Sequence, residues 1–163
     1  MEITIYVRMP QYLGQWLIHE MGGQPVILPK GSPENKIITI FSMRPPKDYI
    51  PRPQQEDEVC IVMPQNKVKD PRTYSYLPHK AEGMLVSALH SRFVVQLFQD
   101  IHTLHNYYQR TDKLLQAWMQ AHGIEYSGKN WDSIAKNYQR ARNAFRMQQV
   151  RKENKKKLSN MPT

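Results

Sequence analysis

The residues best suited to chemistry in this chain are cations near its C-terminal end. Lys129, Lys136, Arg140, Arg146, Arg151, Lys152, Lys155, Lys156 and Lys157 crowd into the last 35 residues. Arginine suits phosphate because its planar fork donates two hydrogen bonds at once. Gln139, Asn143, Gln148 and Gln149 lie among these cations, with amides able to reach phosphates or base edges. Contacts of this kind gain affinity mainly by releasing counterions, so binding through them falls steeply with salt. A second group sits in the loop 67–76, where Lys67, Lys69 and Arg72 accompany Tyr74 and Tyr76. Cations interleaved with aromatics can clamp a backbone and stack bases. The plainer reading is favoured there: Asp70-Pro71 starts a turn, and the tyrosines pack over the helices beyond.

Catalytic constellations are absent by sequence. No phosphate-binding glycine loop, dinucleotide fingerprint, nucleophile elbow or zinc-protease helix motif occurs. His102 and His105 have i, i+3 spacing close to Asp100, but no further Glu or Cys completes a ligand set. Asp100 and Glu82 stand alone on helices, without the paired carboxylate that glycosidase chemistry needs. Cys60, the single cysteine, falls inside the apolar run 59–63 and reads as a buried, inert thiol. The expectation is therefore no metal, no cofactor and no catalytic residues, leaning against an enzyme. Active sites assembled from dispersed residues leave that alternative open.

The 163 residues carry 23 Lys+Arg and 14 Asp+Glu, a net charge of +9, and the excess is localised. Residues 1–128 hold 13 cations against 12 acids, whereas residues 129–163 hold 10 against 2. A near-neutral body with a cationic end points to a polyanion, nucleic acid before membrane. The rival is a solvated tail that serves only solubility. No apolar run approaches the roughly 18 residues of a membrane span, and the start alternates instead of resembling a secretory signal. A lone cysteine fits a reducing cytoplasm.

These residues need elements to position them, and the pattern predicts an α+β protein. A small N-terminal mixed sheet with one helix is followed by a helical half that ends in a long basic helix. Strands are expected at about 3–9, 25–28, 37–43 and 59–63. The evidence is alternation over Ile3–Met9 and the branched and aromatic run Ile37–Phe41. Gly31–Asn35 reads as a turn, and the proline-rich stretch 45–53 as an exposed connector. Helices are expected at about 12–21, 79–90, 92–108 and 112–121, with a break near Ser91-Arg92 and Thr111 as an N-cap. Tyr108 extends the face of Leu97, Phe98, Ile101 and Leu104.

The body thus spans 1–128, and 129–163 forms a basic amphipathic helix and tail packed on the body at its start. That helix is expected over 131–157, with Asn130 as N-cap. Steps of 100° put Trp131, Ile134, Ala135, Tyr138, Ala141 and Phe145 on one stripe, with Arg140 nearly opposite. Beyond Phe145 the stripe fades while the charge continues, as in a segment that orders fully on a partner. Helices 112–121 and 130–157 outline a helix-turn-helix, but their connector exceeds the usual three to four residues or so.

Three stretches carry a resemblance. They are Tyr6–Leu13, Lys69–Leu77, and His122-Gly123-Ile124 followed by Trp131, Ile134-Ala135-Lys136, Tyr138-Gln139-Arg140 and Arg142. On these the chain resembles uncharacterised small proteins of bacterial mobile elements and prophages. The resemblance implies a DNA-associated role and supplies no functional residues. Two readings follow: a nucleic-acid binder (DNA more than RNA), or a protein–protein adaptor whose basic helix grips an acidic partner.

Overall fold

The alternation at the N-terminus forms strand β1 (Thr4–Arg8), which turns Ile5 and Val7 into the core. A computed structural model describes residues 1–105 and 110–162 of the chain. β1 pairs antiparallel with β2 (Glu58–Val62), in register from Thr4↔Val62 to Arg8↔Glu58. Helix α1 (Gln11–Glu20) follows at once and buries Leu13, Trp16 and Leu17. Gly14 lets it approach the sheet, since an added Cβ would lie 3.1 Å from Val59 Cγ2. The α+β class expected from the sequence is the one observed.

The sheet is smaller than expected. Among the described residues it has two strands, and residues 25–28 contribute only a parallel bridge, Val26 to Ile61. Residues 37–43 are not a strand. They fall largely in helix α2 (Pro33–Phe41), which runs into the expected turn at Gly31–Asn35. The reason is local. Ser32 caps the helix by accepting from the Asn35 amide at 3.2 Å, Pro33 fills the first turn, and Glu34 meets the positive end of the dipole. Burial of Ile38, with Glu34 on the same side held 3.5 Å from Arg92, then outweighs the β preference of the branched run. Ile40 and Phe41 are left exposed.

Helix α3 (His79–His105) is continuous, with no break at Ser91-Arg92. Its buried residues are Ala81, Leu85, Leu89, Phe93, Leu97 and Ile101, one every fourth position. Each such step advances about 40° around a helix of 3.6 residues per turn, so the stripe winds through roughly 200°. That winding produces two apparent faces in sequence without a bend. It also lets α3 serve as the hub, packing against α1 and α2 as well as α4 (Thr111–Ala121) and α5 (Gly128–Ser159). The expected helix 92–108 ends outside the described residues, as does Tyr108.

Two expected caps are replaced. Arg110, not Thr111, precedes α4, and its side chain caps nothing. Ser127 caps α5 by accepting from the Asn130 amide at 3.2 Å, so the helix starts at Gly128 instead of Trp131 and runs to Ser159. Asn130 is buried instead, donating to the Glu125 carbonyl at 2.9 Å and to Gln15 Oε1 at 3.3 Å. Cys60 is half-buried, not fully enclosed. Among the described residues, no helix is long and apolar enough to cross a membrane.

Candidate nucleic-acid interface

Helix α5 has 32 residues, about 48 Å at 1.5 Å per residue. Its first turns are docked. Ile134 and Tyr138 are buried, Trp131 and Ala135 pack against the core, and Asn137 Nδ2 donates to the Tyr12 hydroxyl at 3.3 Å. Phe145 closes the docked portion, its ring 5.4 Å from Phe98 and 5.0 Å from His102. From Arg146 to Asn160 every residue is exposed. The helix therefore has an anchored half and a projecting half, divided at Phe145.

The cations distribute over both halves. Lys129, Lys136 and Arg140 are exposed on the docked half, while Arg146, Arg151, Lys152, Lys155, Lys156 and Lys157 lie on the projecting half. Among the described residues none of these nine forms an ion pair. Arg142 is half-buried and lines a cavity of about 190 Å³ with His102, His105, Tyr138 and Phe145. Gln139 donates to Asn143 Oδ1 at 3.3 Å, an exposed amide pair beside Arg140. The connector from α4 runs from His122 to Ser127, longer than that of a tight helix-turn-helix.

The loop 67–76 is built differently from a clamp. Lys69 Nζ donates to the carbonyls of Ile40 and Ser42, the latter at 2.9 Å, and so closes the C-terminal end of α2. Tyr74 lies under Arg44, whose guanidinium carbon is 5.7 Å from the ring centroid. Tyr76 bridges to Met43 and stacks edgewise on Tyr49 at 5.4 Å. Asp70 turns the chain, its carbonyl accepting from the Thr73 and Tyr74 amides at 2.9 Å. Lys67 and Arg72 remain exposed.

One constellation has no signature in the sequence. His102 and His105 border α5, but His19, Glu20 and His122 converge at the end of α1. Glu20 and His122 are 102 positions apart in the chain, so no spacing pattern links them.

Protein-family models, curated proteins and solved structures were all compared with this chain, and none matches.

Proposed function

We propose that the protein binds nucleic acid through phosphate contacts made by the exposed cations of α5. The single observation that carries this reading is the projecting half of the helix. Residues 146–160 bear six Lys/Arg against one Glu, and among the described residues none covers them. These cations surround several turns of exposed helix, and such dense positive charge gains affinity for phosphate by releasing counterions. Lys129, Lys136 and Arg140 extend the same charge onto the docked half, and the neighbouring amides add donors for phosphate or base edges. The preference for DNA, the cytoplasmic setting and the service to a mobile element rest on the sequence resemblance and on cysteine usage.

The test is a salt titration of labelled duplex binding, read by fluorescence anisotropy. The variant with Lys136, Arg140, Arg146 and Arg151 all changed to Ala should bind at least tenfold more weakly. Its salt slope should be shallower by about 0.9 for each phosphate it no longer neutralises. Binding equal to wild type would sink the assignment.

A second reading has its own observation. Met147, Val150 and Leu158 are exposed on the projecting half between the cations. An acidic protein with an apolar groove would use both features, making the chain an adaptor. Under that reading a pull-down yields a stable protein complex, and the purified protein carries no nucleic acid.

A further inference from the structure

The end of α1 and the turn after α4 bring two histidines and a glutamate together. His19, Glu20 and His122 each offer one ligand atom, and these atoms all lie within 4.8 Å of one another. His122 Nδ1 is 2.8 Å from Glu20 Oε1, so this nitrogen faces the α1 side. Its other nitrogen, Nε2, faces Asp100 of α3 at 3.7 Å. Asp100 Oδ2 is itself held by the Trp118 indole N–H, which donates to it at 2.9 Å. The Trp118 ring lies 4.2 Å from the His122 ring and fixes its plane. The His19 ring lies close over Gly123, where an added Cβ would fall 2.8 Å from it.

We propose that His19, Glu20 and His122 bind a divalent transition-metal ion of the zinc class, with Asp100 as the outer carboxylate that orients His122. Two imidazole nitrogens and one carboxylate are a donor set that zinc favours, and three protein ligands leave a fourth position open to water. Ligands at about 2.0–2.1 Å in tetrahedral array sit about 3.4 Å apart, so the side chains need only modest adjustment. The arrangement behind His122 is the independent support. A metal-bound histidine characteristically gives its other ring N–H to a carboxylate, and here an oriented carboxylate lies 3.7 Å from that nitrogen, a short closing movement from a hydrogen bond. Charge agrees. Glu20 and Asp100 face one imidazole, and among the described residues neither is paired with Lys or Arg. The ion would tie α1 to the α4–α5 turn, a role separate from the phosphate contacts of the projecting helix.

The experiment uses the full-length protein stripped with a chelator. Zn²⁺ is titrated in competition with a chromogenic chelator, and Co²⁺ in parallel for its visible d–d bands. One equivalent should bind, with bands of a four-coordinate site. His19→Ala and Glu20→Gln change exposed side chains and should each weaken binding by at least about tenfold. Asp100→Asn should weaken it by about 10–100-fold. The His102→Gln/His105→Gln variant should bind as wild type does. Circular dichroism of each variant confirms that it is folded. Absence of saturable binding, wild-type affinity in His19→Ala or Glu20→Gln, or loss of binding in His102→Gln/His105→Gln overturns the site. Wild-type affinity in Asp100→Asn overturns the role given to the outer carboxylate.

Discussion

Glu58 ends the sheet with its side chain 2% exposed, and Arg52 grips it with both terminal guanidinium nitrogens, Nη1 and Nη2. The Gln55 amide donates to the same carboxylate at 2.9 Å. The Arg52 hydrogen bonds hold the Glu58 carboxyl below its ordinary range. A depressed carboxyl stabilises the fold above the unfolded value of about 4.3 and loses that contribution as pH falls through the lower folded value. Glu58→Gln should therefore cost about 1–2 kcal/mol at neutral pH. The difference in Tm from wild type should shrink below about pH 4. Thermal melts across pH check this, and a constant gap would refute it. Glu82 behaves in the opposite sense, because burial pushes its carboxyl up. Its ionised form is the costly one above that raised value, so Glu82→Gln should leave Tm unchanged or higher at neutral pH. Two glycines give a paired experiment. Gly22 and Gly123 both have positive φ, +81° and +70°, but an added Cβ meets nothing at Gly22 and the His19 ring at Gly123. Gly22→Ala should cost about 1 kcal/mol from backbone alone, and Gly123→Ala distinctly more in urea melts.

Helix α2 is the element whose type the sequence concealed. Ile37, Ile38, Thr39, Ile40 and Phe41 have strong strand preferences, and a short apolar run carries little periodicity to oppose them. The deciding signal was Ser32-Pro33-Glu34, a cap, a first-turn proline and an early acid, which reads equally well as a turn. Ser32→Ala should cost about 1 kcal/mol through removal of the cap, or roughly 2–4 °C of Tm. An unaffected melt would mean that packing alone holds the helix. Helix α5, by contrast, was legible: Ile134, Tyr138 and Phe145 stand on the predicted stripe and meet the body. A stripe sustained over four turns specifies both the helix and its docked face. The His19–Glu20–His122 group was illegible, because its residues meet only once α1 and α4 have packed around α3.

At the scale of the whole molecule, one core is shared by all elements and ends at Phe145. Deleting the residues after Phe145 removes no buried side chain among the described residues, so Tm should change by no more than a few degrees. The same deletion should abolish most nucleic-acid affinity under the proposed function. A large fall in Tm would show that the projecting half supports the body. The sheet has a further consequence, and it concerns the order of folding. β1 and β2 pair across the 49 residues between Arg8 and Glu58, which include α1, α2 and the proline-rich connector. Closing so long a loop costs entropy before any strand contact repays it. Helix α3 meets α4 and α5, the next two elements in the chain, without closing so long a loop. The transition state should thus be polarised towards α3, α4 and α5. Substitutions at Leu115 or Trp118 of α4 would slow folding, whereas substitutions at Val7 or Ile61 would mainly speed unfolding.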